Sequence, residues 1–398
     1  MSKQRTTQRR AKPTATSPAN NRPVKATSSV TAARAGSIRP AKSQSDRAVG
    51  CIVGAFIGDA LGLGPHWYYD LDELRRDFGD WIDGYTTPKR AHRYHAGMKA
   101  GELSQTGLIM LMLLRQVAER GAYDEAEFTR RLDADLLPKL DGVAFHGPGG
   151  YTNHSIRQVW RARVKDGKPW GEVAGNADTS EGAERVSILA ACYAADPTAA
   201  SRHAFENCRL TQNDPLVMQQ AVAFASVLAA LVRGEPLDEK LADKLMKLVE
   251  SGEIPFTAPS SITASKRTPG KNPFGFASPD ALLLPSWIAR AVRDPQIRIE
   301  PAWKVSLVYG MSCATNFVLP GAYYLAARFH DDFEKAVLHA INGGGQNMSR
   351  ACLTGALVGA QVGLSGIPKR LIEGLKDGEE IVELAQKATA RVNSGAAR

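Results

Sequence analysis

The segment best suited to chemistry in this 398-residue chain is residues 341–350, which read INGGGQNMSR. Its glycines, Gly344 and Gly345 among them, allow positive φ and a close approach of the backbone to a ligand. The apolar periodicity after them predicts a helix, whose free N–H groups would attract phosphate or another anion. Arg350 could add a bidentate contact to phosphate oxygens. The alternative interpretation is a helix entry in which the glycines only permit tight packing.

Short polar segments also precede other predicted helices. They are Ser104-Gln105-Thr106, Ser180-Glu181, Gln212-Asn213-Asp214 and Gln346-Asn347. Taken singly, each is an ordinary helix cap. If these helix starts converge, they form a polar, amide-rich pocket with helix dipoles pointing inward.

A single carboxylate, Asp59, interrupts an otherwise apolar helix predicted from about residue 47 to 63 and capped by Asp46. A carboxylate in such a place is costly unless it is paired, hydrogen-bonded or facing a wet pocket. The aromatic-rich loop 66–70 follows and could line that pocket. Its first residue, His66, is either a ligand contact or a satisfied structural histidine.

The elements that must position these residues are helices, because apolar residues recur at helical spacing through most of the chain. Glycines at every fourth position of the first helix, namely Gly50, Gly54 and Gly58, indicate that another helix packs closely against it. We predict a single compact all-α domain over residues 46–398, with an unperiodic surface loop or lid at 256–279. The other predicted helices cover about 104–119, 124–140, 152–163, the segment after 182, 216–232, 238–250, 282–292, 308–328, 333–341, 350–364 and 372–391.

The charge of the chain is concentrated at its N-terminus. The formal net charge is +9, yet residues 1–45 alone carry four Lys, six Arg and no acidic residue. The remaining 40 basic and 41 acidic residues nearly cancel, so the folded part has no bulk attraction for nucleic acid. We predict that residues 1–45 form a disordered basic tail. Alternatives are an organelle transit peptide, or a tether to RNA or a membrane.

Cysteine usage favours a reducing compartment. The five cysteines are odd in number and widely spread, and none forms a Cys-x-x-Cys pair. No uninterrupted apolar run is predicted to reach membrane-spanning length, and no secretory segment is recognised. The expected location is therefore intracellular: cytoplasmic, or organellar if residues 1–45 are a transit peptide.

Common catalytic signatures are missing from the sequence. It contains no Walker-type phosphate loop, no His-Glu-x-x-His, no nucleophile elbow and no dinucleotide fingerprint after a strand.

Three segments instead resemble the motifs of the ADP-ribosylglycohydrolase superfamily. Residues 54–62 (GAFIGDALG) resemble its opening motif, residues 180–186 (SEGAERV) its central segment and residues 344–360 its closing block. Their order and separation fit, so the resemblance covers about residues 47–370. It implies a compact orthogonal helical bundle that hydrolyses N- or O-glycosidic bonds of ADP-ribosylated targets. The family uses a dinuclear Mg²⁺ or Mn²⁺ site between acidic helix starts.

The chain departs from that family pattern at the metal ligands. The family's Thr-Asp-Asp-Thr falls on residues 103–106 (LSQT), and its Gly-Gly-Asp-x-Asp-Thr falls on residues 344–349 (GGQNMS). All four ligand aspartates are absent, and neutral oxygens cannot hold two divalent ions against their repulsion. We therefore predict a degenerate site with no metal and no other cofactor. The substitutions resemble a divergent branch that contains selenoprotein J and certain lens crystallins.

Two functions follow from the resemblance. The first is a hydrolase of ADP-ribosyl linkages that works on carboxyl groups, with Asp59 and Glu181 as catalytic candidates and Glu102 in reserve. The second is a catalytically inactive protein that binds ADP-ribose or a nucleotide, or has a structural, crystallin-like role. The expected ligand-binding residues are His66, Ser104, Gln105, Thr106, Gln212, Asn213, Gly344, Gly345, Gln346, Asn347, Ser349 and Arg350.

The implied partner is an ADP-ribose-like small molecule or an ADP-ribosylated target, without a membrane. Nucleic acid is expected only through the basic tail, and an RNA-associated factor is the third hypothesis. The sequence leaves open the actual ligand, the oligomeric state and whether the tail is cleaved.

Overall fold

The structure is a computed structural model that describes residues 42–90, 94–256 and 280–396. Contacts between residues divide the chain into two units, Met1–Ala41 and Lys42–Arg398. The predicted tail therefore lies mostly outside the described residues, as does the predicted loop 256–279. Within the described part, the predicted boundary at residue 45 is too late, because Gln44 and Ser45 already belong to the first helix.

The described part of the chain is built from α-helices joined by turns and by longer loops such as residues 79–90 and 94–104, which confirms the predicted all-α fold. Its only β-type pairings are two isolated bridges, between Gly175 and Gln212 and between Thr179 and Ala314. The helices are α1 Gln44–Leu63, α2 Leu71–Phe78, α3 Gln105–Arg120, α4 Glu125–Arg131, α5 His154–Trp160, α6 Glu181–Cys192, α7 Pro197–Cys208, α8 Pro215–Val232, α9 Leu241–Ser251, α10 Asp280–Arg293, α11 Val305–Tyr309, α12 Thr315–Arg328, α13 Phe333–Ile341, α14 Asn347–Val362, α15 Lys369–Glu373 and α16 Gly378–Ala396.

The closest helix pair is α1 against α14, and small residues on both sides make it possible. A Cβ atom added at Gly54 would lie 2.2 Å from the carbonyl oxygen of Gly355, and one at Gly50 would lie 2.5 Å from that of Gly359. Any side chain at these positions would separate the two backbones. The structure thus confirms the helix contact that the glycine spacing predicts.

The remaining helices surround this pair and bury one continuous apolar core. Helix α6 packs on α8, α1 and α3, while α13 and α12 pack on α14. This arrangement brings the N-termini of α3, α6 and α14 to one side of the core, where the polar segments of the sequence lie.

Several boundaries differ from the predictions for local reasons. Helix α1 begins earlier because Ser43, not Asp46, is its N-cap, and the Ser43 side chain accepts from the backbone N–H of Asp46. The carboxylate of Asp46 instead accepts from the backbone and hydroxyl of Ser365. The helix predicted over 308–328 is divided into α11 and α12, because Gly310 adopts a φ of 118°. Helices α2 and α7 were not predicted.

One described helix, α8, is of interest for whether the chain could span a membrane, although Gln219 and Gln220 interrupt its apolar run. By length and composition alone α8 could do so, but 78% of its 18-residue window is buried inside the protein. The helix occupies the place of a core helix, in contact with α6, α7 and α10.

Candidate functional site

Two neighbouring cavities lie at the helix N-termini. The polar cavity has a volume of ≈ 190 Å³ and is lined by His66, Trp67, Thr106, Tyr151, Asn153, His154, Arg157, Asp178, Thr179, Glu181, Cys313, Gln346, Met348 and Ser349. The aromatic cavity has a volume of ≈ 310 Å³ and is lined by Leu63, Gly64, His66, Trp67, Tyr68, Tyr69, Pro88, Lys89, Arg90, Tyr94, Tyr151 and Cys313. Four residues line both cavities, namely His66, Trp67, Tyr151 and Cys313, and they form the junction between them.

Three of the four helix starts singled out in the sequence converge on the polar cavity, whereas the segment 212–214 before α8 does not line it. Thr106 comes from the start of α3, Glu181 from the start of α6, and Ser349 from the first turn of α14. The residue just before α14, Gln346, and the loop residue His66 complete this set.

The glycine turn before α14 has the conformation that its sequence indicates, but it forms no open anion cradle. Gly344 and Gly345 have φ angles of 66° and 59°. The N–H of Gly345 donates to the carbonyl of Tyr68 at 2.7 Å, and the N–H of Gln346 donates to that of Met311 at 2.9 Å. These two donors hold the turn in place, which favours the packing interpretation over phosphate binding.

Arg350 does not face either cavity, which corrects its assignment as a phosphate ligand. Its buried guanidinium donates to the carbonyl oxygens of Ala340, at 2.8 and 3.1 Å, and of Gly344, at 2.7 Å. Burial lowers its pKa to about 9. The side chain therefore ties the end of α13 to the glycine turn.

Asp59 also lines neither cavity. It is fully buried and accepts from the backbone N–H of Ser104 at 2.9 Å and from the Ser104 hydroxyl at 2.5 Å. Burial raises its pKa to about 6, against the lowering effect of these hydrogen bonds. Asp59 thus fixes the start of α3, and the structure gives it no direct access to a ligand.

Glu102 lies outside both cavities as well. Its carboxylate accepts from the backbone N–H of Lys99 and pairs with Lys376 at 3.0 Å. These contacts lower its pKa. Of the three predicted catalytic carboxyls, only Glu181 reaches the polar cavity.

Glu181 is the candidate acid of the polar cavity. The Thr179 hydroxyl donates to its Oε2, and burial raises its pKa above the ordinary value. A second carboxylate, Asp178, lines the same cavity and is exposed. The polar cavity therefore contains two carboxyl groups. Glu181 keeps its proton to a higher pH than an ordinary glutamate, and Asp178 is in contact with solvent.

Gln346 organises the floor of the polar cavity. Its Oε1 accepts from the indole N–H of Trp67 at 2.5 Å, and its Nε2 donates to the hydroxyl of Ser349 at 2.9 Å. Nearby, the hydroxyl of Ser180 donates to Oε1 of Glu184 at 2.7 Å. The amide is thus committed to protein partners on both its oxygen and its nitrogen.

The residues at the family's metal positions do not fit a dinuclear centre. The Gln105 Oε1 accepts from the backbone N–H of Asn153 at 2.9 Å, and the Thr106 hydroxyl accepts from the Asn153 amide at 2.8 Å. Ser104 is bound to Asp59, and Met348 offers no oxygen. Across residues 42–90, 94–256 and 280–396, no group of three His, Cys, Asp or Glu side chains is arranged to hold a metal ion.

The other predicted ligand residues hold loops together. Gln212 accepts from the backbone N–H of Gly182 at 2.8 Å and donates to the carbonyls of Ala177 and Thr179. Its neighbour Asn213 donates its backbone N–H to Gly175 at 2.7 Å. These contacts position the segment that carries Glu181, and neither residue lines the two cavities.

Asn347 is fully buried at the start of α14. Its amide nitrogen donates to the Ile341 carbonyl at 3.3 Å, and its Oδ1 has no partner among the described residues. It belongs to the packing beneath the cavity rather than to its lining.

Sequence reasoning expected the aromatic loop 66–70 beside the pocket but missed Tyr94 and Tyr151, the other aromatic residues that enclose the junction. Trp67 stacks on His66 with ring centres 3.9 Å apart and meets Tyr94 and Tyr151 edge to face. The partner of His66, His95, was also missed. Both Trp67 and His95 adopt positive φ, 60° and 65°, which is rare for non-glycine residues and typical of functional sites. The aromatic loop 66–70 was the only sequence signal for this wall.

The comparisons with known proteins agree with this architecture. The chain is 26% identical over 339 residues to an uncharacterized protein of Archaeoglobus fulgidus, covering 85% of this chain and 94% of that one. It is 24% identical over 368 residues to Crystallin J1A of Tripedalia cystophora, covering 86% and 96%. A solved structure titled "ADP-ribosylglycohydrolase-related protein complex" superposes with a TM-score of 0.56 at 18% identity, over 88% of this chain and 99% of that chain.

The likeness to the solved structure establishes the fold. The family assignment comes from the sequence, because residues 40–397 match the ADP-ribosylglycohydrolase family over nearly the whole length. The chain belongs to the ADP-ribosylglycohydrolase family.

Proposed function

We propose that the protein hydrolyses an ADP-ribosyl N- or O-glycosidic linkage without a divalent metal, with Glu181 as its general acid. The observation that carries this proposal is the placement of Glu181 and Asp178 in one polar cavity. Glycosidic cleavage without a metal commonly uses two carboxyl groups, one that protonates the leaving atom and one that activates water or attacks the sugar. Burial raises the pKa of Glu181, which suits the acid, while the exposed Asp178 suits the base.

The ligand would extend from the polar cavity into the aromatic cavity. Lys89 and Arg90 line the aromatic cavity and supply positive charge for a diphosphate. The Tyr69 ring is 54% exposed and offers a surface on which an adenine can stack. The distal ribose would then lie next to Glu181, with the glycosidic bond inside the polar cavity.

The proposal does not include a divalent ion, because the family's metal ligands are absent. The amide and hydroxyl oxygens at the family's metal positions already accept hydrogen bonds from Trp67 and Asn153. We therefore expect isothermal titration with Mg²⁺ or Mn²⁺ to give no stoichiometric binding in the micromolar range. Tight binding of either ion would contradict the metal-free proposal.

The direct test is release of ADP-ribose from peptides modified on serine or arginine, measured in excess EDTA. We expect turnover in the wild type and a loss of at least about 100-fold in Glu181→Gln, as for removal of a general acid. The matched control is Glu250→Gln, an exposed glutamate on α9, which should retain wild-type turnover. Activity that appears only with added metal, or that survives Glu181→Gln, would contradict the assignment.

A binding protein without turnover is the second candidate, and the Gln346 network favours it. An amide whose two ends are committed to Trp67 and Ser349 shapes a pocket but does no acid–base chemistry. For this candidate, calorimetry would detect ADP-ribose binding while no peptide is cleaved. A structural, crystallin-like role would show neither binding nor cleavage.

We also propose an intracellular, reducing location. All five cysteines are free, and four of them, Cys51, Cys192, Cys208 and Cys352, are buried in the core. Tagging of the full chain in cells, with and without residues 1–41, would distinguish the cytoplasm from an organelle.

A further inference from the structure

His66 and His95 form a buried chain of hydrogen bonds at the junction of the two cavities. His95 Nδ1 lies 2.8 Å from the carbonyl oxygen of Gly149, and His95 Nε2 lies 2.9 Å from His66 Nδ1. His66 Nε2 lies 3.3 Å from Oε1 of Gln346. The two rings thus connect one backbone carbonyl to one side-chain amide.

Both ends of this chain are hydrogen-bond acceptors. A carbonyl oxygen only accepts, which settles the Gly149 end. At the other end the Trp67 indole N–H can only donate, and it points to the same Gln346 atom at 2.5 Å. The Gln346 atom beside His66 is therefore its oxygen, and its nitrogen faces Ser349.

The proton count of the chain is one short. Three contacts each need one proton, and two neutral imidazoles carry two N–H groups between them. Burial lowers the pKa of His95 to about 4 and that of His66 well below its ordinary value, so neither ring is charged near pH 7. One of the three contacts must place a lone pair against a lone pair.

The distances identify that contact. Two acceptors repel more strongly as they approach, so the unprotonated contact is the longest of the three. The two contacts of His95, at 2.8 and 2.9 Å, have the lengths of ordinary hydrogen bonds. The contact between His66 Nε2 and Gln346 Oε1 is the longest of the three, at 3.3 Å, so it is the one in which two lone pairs face each other. His95 therefore carries its proton on Nδ1, and His66 carries its proton on Nδ1 and donates to His95.

We propose that His66 presents an unprotonated Nε2 at the cavity junction, where it accepts a hydrogen bond from a hydroxyl group of a sugar ligand. His95 is a positioning residue that fixes this tautomer by accepting from His66 Nδ1. His66 is only 6% exposed and lines both cavities, so a bound hydroxyl would satisfy a buried acceptor that the protein leaves without a donor. The sugar ligand and the choice of ADP-ribose as the probe rest on the proposed function, whereas the tautomer of His66 does not.

The first experiment measures the tautomer in the ligand-free full chain. The protein is labelled with ¹⁵N-histidine, and the ring nitrogens are observed by long-range ¹H–¹⁵N correlation at pH 7.5, with His66→Gln to assign the signal. We expect a neutral His66 with a protonated Nδ1 and an unprotonated Nε2. A proton on Nε2, in either the neutral or the charged ring, would overturn the inference whatever the protein binds.

The second experiment uses His95 variants and ADP-ribose. His95→Ala removes the acceptor for Nδ1, so His66 should move its proton to Nε2 and donate to Gln346. His95→Gln supplies a new acceptor and should restore the wild-type tautomer. ADP-ribose should shift the Nε2 resonance of the wild type and bind about tenfold more weakly to His95→Ala, with recovery in His95→Gln.

The outcomes separate this inference from the proposed function. Bound ADP-ribose that leaves the Nε2 resonance unmoved, or equal affinity for wild type and His95→Ala, would overturn the role of His66. If ADP-ribose does not bind at all, the proposed function fails. The tautomer measured without ligand still decides whether His66 is the acceptor described here.

Discussion

Glu184, in the first turn of α6, is a buried carboxyl close to the site. It is fully buried, its Oε1 accepts from Ser180, and its Oε2 has no hydrogen-bond partner among the described residues. Burial raises its pKa to about 8, from an ordinary value of 4.5. The folded protein thus keeps a proton that the unfolded chain releases at lower pH.

This proton makes stability depend on pH in a defined direction. Because the folded pKa is the higher one, its contribution is fully present below about pH 4.5 and is lost as the pH rises through about 8. The buried His66 and His95 act in the opposite direction in every variant, because burial lowers their pKa. We therefore expect Glu184→Gln to gain about 4 kcal/mol of unfolding free energy relative to the wild type between pH 5 and pH 8.5. Urea unfolding at pH 5, 7 and 8.5 measures both slopes.

The control for this prediction is Glu250→Gln, which should follow the wild-type pH profile. Asp59 adds a smaller effect of the same sign at lower pH, because burial raises its pKa from 3.8 to about 6. A Glu184→Gln protein whose stability depends on pH in the same way as that of the wild type would show that Glu184 is not protonated in the folded state.

For individual residues, the sequence predicted the helix starts that lie beside the site more reliably than the directions in which their side chains point. Ser104 and Gln346 belong to helix starts beside the site, as their polar segments suggested. Whether Arg350 points to a ligand or to the Ala340 carbonyl depends on the packing of α13, which no local pattern specifies. His95 escaped notice for the same reason, since its role exists only through its contact with His66.

The contact between helices α1 and α14 has the least tolerance for added atoms. A Cβ at Gly58 would lie 2.1 Å from the Ala351 carbonyl oxygen, a backbone atom that cannot move aside. We expect Gly58→Ala to lower the free energy of unfolding by more than about 3 kcal/mol, because the two helices must separate. Chemical unfolding followed by circular dichroism measures the change.

Gly84→Ala is the matched substitution outside this contact. A Cβ there would have the tip of Arg370 as its nearest neighbour, 3.7 Å away, and its φ is not in the left-handed region. We expect its stability to lie within about 0.5 kcal/mol of the wild type. Equal stabilities for the two alanine variants would refute the tight-contact account of Gly58.

The buried Arg350 connects two elements, α13 and the glycine turn before α14. Arg350→Met would leave the carbonyls of Ala340 and Gly344 without their donors, so we expect a loss of about 3 kcal/mol in unfolding free energy. Arg350→Lys should recover little of it, because a lysine cannot reproduce the planar fork. Thermal and urea unfolding of both variants provide the measurement.

Arg115→Met supplies the surface comparison, because the Arg115 side chain is 42% exposed and forms an ion pair with Glu380 on α16. Such a pair contributes little, so its loss should cost under about 1 kcal/mol. If Arg350→Met were as stable as Arg115→Met and lost ligand affinity instead, the phosphate-binding interpretation would be restored.

Helices with a clear apolar stripe were predictable, and helices without one were not. Helix α13 has the predicted bounds Phe333–Ile341, because its periodic apolar residues lie between Asp332 and the glycine turn. Helix α2 buries only Leu74, so no stripe marks it. In α7 the buried residues are mostly alanine and serine, too small to stand out as an apolar face.

The net positive charge of the whole molecule lies in the residues before the boundary between Ala41 and Lys42. Residues 1–41 carry three Lys, six Arg and no acid, and the remaining 41 basic and 41 acidic residues cancel. We expect any affinity for single-stranded RNA to require residues 1–41 and to fall steeply between 50 and 200 mM salt. Fluorescence anisotropy of the full chain and of residues 42–398 tests this, and retained binding by the truncated chain would contradict it.

The order of synthesis has a consequence for the α1–α14 pair. Gly54 and Gly355 touch although about 300 residues separate them along the chain, so α1 leaves the ribosome long before its partner exists. Until then its glycine ridge and the apolar residues beside it have nothing to cover them. Nascent chains arrested before residue 347 should therefore bind chaperones through α1 and resist protease poorly, and both properties should change once α14 emerges.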